Sequence, residues 1–226
     1  MDMQKVFLFD LNGTMIDDME YHIKAWHRIF NELGSPKSVE ETKLECYGKN
    51  HEVLERVFPK RFSEEEKDRM SFEKEKQYQT EYAPEMKLID GLSEFLGIAY
   101  KKGHKMGIGS AAIMFNIDFV LEGLDIRYYF DSIVSADDVR TSKPDPETYL
   151  ECAAQLNASP ADCIVFEDSP KGVEAAQRAG MKAIALTTMH HAGDFLPYAN
   201  VLFTINDYLD PRIAALVREE EGTAAK

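Results

Sequence analysis

Lys5-Val6-Phe7-Leu8-Phe9-Asp10-Leu11-Asn12-Gly13-Thr14 is an apolar run that ends on a carboxylate and passes straight into a turn. A short continuous run of this kind reads as a strand buried on both faces. Gly13 permits the tight turn behind it, so Asp10 is expected at the carboxyl edge of a parallel sheet. Open α/β sheets bind their ligands at that edge.

Outward from this strand the character of the chain changes. From about Asp17 to Lys87 it reads as helix after helix. Met19, Ile23, Trp26, Phe30 and Leu33 recur at three- and four-residue spacing as one apolar stripe, and Gly34 stands where a C-cap belongs. Further helices are expected near Ser38-Tyr47, Glu52-Phe58 and Ser63-Tyr82, the last opened by the capping box Ser63-Glu64-Glu65-Glu66. From Asp90-Gly91 onward, strands at Lys105-Gly109, Ser132-Val134, Cys163-Glu167, Ala183-Leu186 and Val201-Phe203 alternate with helical stretches. Those helices lie at about Leu92-Lys102, Ile113-Leu121, Pro146-Leu156, Lys171-Ala179 and Tyr208-Val217. Asp145-Pro146 reads as an N-cap with a first-turn proline, and Gly180 as a helix stop. The alternation predicts an α/β, Rossmann-like, doubly wound parallel sheet core made of residues 1–16 and 89–226. A helical cap domain of four helices, residues 17–88, is inserted after its first strand.

The 226 residues carry a formal net charge of -14. Nucleic acid and anionic membrane are therefore not expected as partners, because both need a basic surface. An acidic chain that binds phosphate must do so through local groups and a metal. Cys46, Cys152 and Cys163 are odd in number and widely spaced, which reads as buried, reduced thiols in a cytosolic protein. No run approaches the ~18 apolar residues of a membrane span. The N-terminal apolar stretch is too short for a signal peptide and ends in Asp10, so a cytoplasmic protein is expected, and a monomer. Asn157-Ala158-Ser159 fits a glycosylation sequon but has no secretory signal to go with it. The tail from Arg218 onward is polar and small, and is expected to fray.

Three later motifs join Asp10. Gly109-Ser110 ends a second strand, Lys143-Pro144-Asp145-Pro146 precedes a helix, and Phe166-Glu167-Asp168-Ser169 ends a third strand ahead of Gly172-Val173-Glu174-Ala175-Ala176. In one parallel sheet they converge on one crevice. Taken singly, each has a plain structural reading: a turn carboxylate, a strand-end serine, a solvated lysine. Together they suit phosphoryl transfer. A carboxylate that attacks phosphorus needs its charge repulsion screened, and magnesium held by carboxylates and carbonyls does this. A hydroxyl and an ammonium then stabilise the phosphoryl oxygens, roles that suit Ser110 and Lys143.

In this order, the four motifs resemble those of the haloacid dehalogenase superfamily over nearly the whole chain. The resemblance implies that Asp10 is the nucleophile and forms an aspartyl-phosphate. It implies that Ser110, with Ala111 beside it, and Lys143 bind the transferring phosphate. Asp10, Asp168, Glu167 and the backbone carbonyl of Asn12 are the implied magnesium ligands. The family's opening motif is Asp-x-Asp-Gly-Thr, with the second Asp as general acid/base, and here that catalytic position is Asn12. An amide has no titrating proton to give or take. Its carbonyl is unchanged, so the metal site is expected to survive.

Within the superfamily, the helical insert and Tyr21-His22-Ile23-Lys24-Ala25-Trp26 resemble the beta-phosphoglucomutase branch, which holds mutases and sugar-phosphate phosphatases. The resemblance places His22 and Trp26 on the cap face over the active site. It makes Lys49, in Gly48-Lys49-Asn50, a contact for a second, non-transferring phosphate. By their own pattern Trp26 reads equally as cap core, His22 as a structural histidine and Lys49 as an exposed lysine. The expectation is a magnesium-dependent phosphatase of small phosphorylated metabolites such as sugar phosphates. A hexose-phosphate mutase is the rival in the same class. A catalytically impaired phosphate-binding sensor is the rival from another.

Overall fold

The computed structural model of the chain describes residues 5–217, so the tail from Arg218 lies outside the described residues. Six strands, β1 (Val6–Phe9), β2 (Met106–Gly109), β3 (Ser132–Val134), β4 (Cys163–Glu167), β5 (Lys182–Leu186) and β6 (Val201–Ile205), form one sheet. Its order is β3-β2-β1-β4-β5-β6 and every pairing is parallel. The chain builds outward one way from β1 to β3, returns to the centre, and builds the other way from β4. A crevice opens between β1 and β4 at such a reversal.

Alternation along the central strands sorts the core into two layers. Phe7 and Phe9 join Ile108, Phe166 and Ile184 on one face, beneath α5 (Leu92–Lys101), α6 (Met114–Gly123) and α9 (Pro211–Leu216). Val6, Leu8, Val165 and Ala183 face the other way, onto α7 (Glu147–Gln155) and α8 (Pro170–Arg178). Phe9 and Phe166 stack at 4.8 Å between ring centroids, one residue short of Asp10 and Glu167. The strand ends that carry the acids are thus anchored by fully buried rings, each worth about 3–5 kcal/mol against truncation to alanine.

Between β1 and β2 run α1 (Met19–Glu32), α2 (Val39–Glu45), α3 (Asn50–Val57) and α4 (Glu64–Tyr82). Trp26, Phe30, Val53, Leu54 and Phe58 give these helices a core of their own. Ser63 accepts a hydrogen bond from the Glu66 amide and so caps α4, and Gly34 closes α1 with φ at +79°. α4 is unusual in what it buries: Lys67, Ser71, Lys74, Glu75, Tyr78 and Tyr82 line its inner face.

Three expectations need correction. α7 starts at Glu147, with Pro146 as its N-cap and the Pro146 carbonyl taking the Leu150 amide at 3.0 Å, while the Asp145 carboxylate accepts from the Glu147 amide. α9 starts at Pro211 rather than Tyr208, because the Asp210 side chain caps it by accepting from the Arg212 amide. Tyr208 is used elsewhere, donating its hydroxyl to the Thr14 carbonyl at 3.1 Å. Cys152 and Cys163 are buried, but Cys46 is only half-buried; all three are free thiols. Among the described residues no helix is long and apolar enough to cross a membrane.

Candidate active site

The sheet register sets the site. β1 pairs with β4 through Phe9 and Phe166, and with β2 through Phe9 and Ile108. Asp10 therefore emerges beside Glu167 on one side and near Ser110 on the other, and its amide still bonds the Phe166 carbonyl at 3.0 Å. Lys143 comes in over this edge from the loop ahead of α7. Its ammonium donates to Asp10 Oδ1 at 2.6 Å and to Glu167 Oε1 at 2.7 Å. Glu167 is gripped further by the Tyr149 hydroxyl at 2.9 Å and, at Oε2, by the amide and hydroxyl of Ser169. Gly172 makes room for it, since a Cβ there would overlap the Glu167 carboxylate.

Asp168 completes the group. Its Oδ1 takes a long hydrogen bond from Thr14 at 3.5 Å, and among the described residues it has no ion-pair partner. Gly13, at φ +74°, admits it: a Cβ at Gly13 would overlap the Asp168 carboxylate. Three buried carboxylates thus lie around one ammonium, which pairs with Asp10 and Glu167. Burial pushes the Asp10 carboxyl up to about 7, against the pull of Lys143 and with the help of Glu167. Asp168 is driven well above the ordinary carboxylate range by burial, then by Glu167 and Asp10. Glu167 stays below that range because Lys143 and its hydrogen bonds outweigh burial. Among the described residues the Lys143 ammonium is the one cation in contact with these carboxylates.

Ser110 is buried at the end of β2, with its amide on the Val134 carbonyl and its hydroxyl accepting from the Ala112 amide. Ala111 sits between them in the same turn. Lys49 donates its side chain to the Val139 carbonyl, and its amide bonds Ser142 Oγ at 3.1 Å, next to Lys143. Trp26 is buried in the helical core, stacked on Phe30 at 5.5 Å, with the Lys74 ammonium over its ring.

Residues 7–186 match the family model described as haloacid dehalogenase-like hydrolase. The chain belongs to the haloacid dehalogenase-like hydrolase family. It is 32% identical over 201 residues to validoxylamine A 7'-phosphate phosphatase of Streptomyces hygroscopicus subsp. limoneus, covering 88% of this chain and 93% of that protein. It is 30% identical over 190 residues to the beta-phosphoglucomutase of Bacillus subtilis, covering 80% of this chain and 83% of that protein. Among solved structures, a family IA, variant 3 hydrolase of Entamoeba histolytica superposes with a TM-score of 0.82 at 26% identity, over 95% of this chain and 100% of the other.

In this haloacid dehalogenase-like hydrolase the helices meet the crevice through a polar network that sequence patterning missed. Asn12 Nδ2 lies 2.6 Å from Asp18 Oδ2 and 3.2 Å from His22 Nε2. Tyr78 donates to the same Asp18 oxygen and stacks on the His22 ring at 4.0 Å. Lys74 stands 2.7 Å from His22 Nδ1 and 2.8 Å from Glu75, and Glu75 in turn accepts from Asn50 and Asn116. Asn116 belongs to α6, so this chain of contacts runs from the turn after β1 through the inserted helices and back to the sheet domain. A signal was present: positions 67, 71, 74, 75, 78 and 82 keep helical spacing although most are polar.

Proposed function

We propose that the protein is a magnesium-dependent phosphatase of small phosphorylated metabolites, with Asp10 as its nucleophile. The observation that carries this is the Lys143 ammonium held between Asp10 and Glu167 at the reversal of the sheet, with Asp168 buried beside them. Sugar phosphates are the substrate class that the names of the phosphatase and phosphoglucomutase relatives suggest.

Asp10, Asp168 and the Asn12 carbonyl would hold magnesium, with Glu167 nearby. Magnesium keeps several of its waters and needs only one or two carboxylates to hold it. When bound, magnesium supplies charge screening between the attacking carboxylate and the phosphoryl oxygens. Lys143 orients Asp10 and adds positive charge where the transferring group lies, and Ser110 offers a hydroxyl at the adjacent strand end. Asp10 attacks phosphorus, the leaving group departs, and water then releases phosphate from the aspartyl group. The helices between β1 and β2 act as the cap, with His22 beside Asn12, Lys49 against the loop that carries Lys143, and Trp26 buried in the cap core.

A hexose-phosphate mutase is the second reading, favoured by the identity to the Bacillus subtilis beta-phosphoglucomutase. A mutase leans on acid/base help that Asn12 does not offer, so hydrolysis is preferred. The test is phosphate release from sugar phosphates, pyrophosphate and nucleotides, run with magnesium and with chelator. Magnesium-dependent release is expected. Binding without turnover of any of them would instead support a phosphate-binding module.

A further inference from the structure

The Asn12 side chain has one orientation that fits its surroundings. An ionised carboxylate only accepts hydrogen bonds, so the Asn12 atom 2.6 Å from Asp18 Oδ2 is the amide nitrogen, and the amide oxygen is left as the open end. Asp18 occupies the N-cap position of α1 yet makes no side-chain cap. Its carboxylate turns inward, fully buried, and accepts at Oδ2 from Asn12 and from Tyr78. His22 packs against the same group: its Nδ1 faces the Lys74 ammonium at 2.7 Å, and its Nε2 lies 3.3 Å from that Asp18 oxygen and 3.2 Å from Asn12 Nδ2. An aspartate at position 12 would set two like charges in contact here. Asn12 and Asp18 are a matched pair.

We propose that Asp18 is a positioning residue that holds the Asn12 amide oxygen as a fixed acceptor for the attacking water, and that the protein acts on phosphates whose leaving group departs without a proton, acyl phosphates above all. This rests on Asp10 being the nucleophile. In the first step Asp10 forms a bond to phosphorus and the carboxylate leaving group takes the pair of the P–O bond, so no acid is needed. In the second, water attacks phosphorus guided by the Asn12 oxygen, the bond to Asp10 breaks, and both water protons leave on dihydrogen phosphate. A sugar hydroxyl, by contrast, must be protonated as it departs, and the Asn12 oxygen has nothing to donate.

The test uses the full chain with magnesium, peptide mass first showing that position 12 is still Asn, since Asn12-Gly13 is a dipeptide prone to deamidation. For the parent, kcat/KM for acetyl phosphate should exceed that for glucose 6-phosphate by roughly 10²- to 10⁴-fold, the worth of a positioned general acid. Asp18→Ala should lower kcat for acetyl phosphate about 10²-fold at nearly constant KM, the cost of a misplaced reactant, with Asp18→Asn restoring part of it because an amide oxygen still accepts. The reversed pair, N12D/D18N, should raise glucose 6-phosphate turnover by roughly 10²- to 10⁴-fold. A parental preference near unity, which needs no variant to fold, would overturn the proposal, as would an unchanged kcat in Asp18→Ala. Asp10→Asn separates the two levels: activity that survives it overturns the nucleophile itself, whereas activity lost with it but indifferent to the leaving group overturns only the role given to Asn12 and Asp18.

Discussion

The Lys143 ammonium reaches across the sheet edge to within 2.6 Å of Asp10 Oδ1, and it is the one cation in contact with the buried carboxylates there among the described residues. Removing it leaves Asp10 and Glu167 buried and unpaired. Lys143→Met is expected to cost about 3–5 kcal/mol of stability, as breaking a buried pair does. Turnover should fall by at least roughly 10²- to 10³-fold if, as proposed, Lys143 also donates to the phosphoryl oxygens. Urea unfolding and an activity assay check both.

Asp168 should behave in opposite ways with and without metal. With chelator present it is a buried acid crowded by Glu167 and Asp10, so Asp168→Ala should leave stability unchanged or raise it. With magnesium at about a hundred times its Kd the parent gains about 2.7 kcal/mol, and the variant should gain nothing. Thermal unfolding in magnesium and in chelator reads the two effects directly, and turnover in the variant should be lost.

Glu75 joins the helices to the sheet domain through Asn116 and pairs with the buried Lys74. Burial raises its pKa, but Lys74, His22 and its hydrogen bonds outweigh this and hold it at about 2, against an ordinary 4.5. A depressed carboxylate pKa gives stability that is present above 4.5 and is lost as pH falls toward 2. Glu75→Ala should therefore cost about 3–5 kcal/mol near neutrality, with the gap to the parent closing in acid. Urea unfolding across that pH range checks the sign as well as the size.

The thiols should be quiet in the native protein. Burial pushes Cys46 and Cys152 up to about 12 and Cys163 up to about 11, so little thiolate exists at neutral pH. A thiol reagent is expected to label none of them quickly under native conditions and all of them in denaturant.

The sheet was legible because β1, β2 and β4 are buried on both faces and so stand out as apolar runs ending ahead of Asp10, Ser110 and Asp168. Their convergence follows from a parallel sheet alone. The Asp18 network was not legible for a physical reason: α4 buries lysine, glutamate and tyrosine where an amphipathic helix buries leucine, so a search for apolar periodicity passes over it. Asp18 itself looks like an ordinary helix N-cap in sequence, and only the structure shows its carboxylate turned toward Asn12. Asp145 misled in the opposite sense. It does accept the Glu147 amide as a cap would, but Pro146 still takes the N-cap position and the helix begins at Glu147.

Borohydride trapping during turnover tests the central claim, Asp10 as the phosphorylated nucleophile, most directly. Borohydride reduces an acyl phosphate but spares a free carboxylate, so peptide mass mapping after reaction with magnesium and acetyl phosphate should find homoserine at position 10. The conversion should depend on both magnesium and substrate and be absent in Asp10→Ala. Turnover that proceeds with Asp10 unmodified, or with the reduced residue at another position, would contradict it.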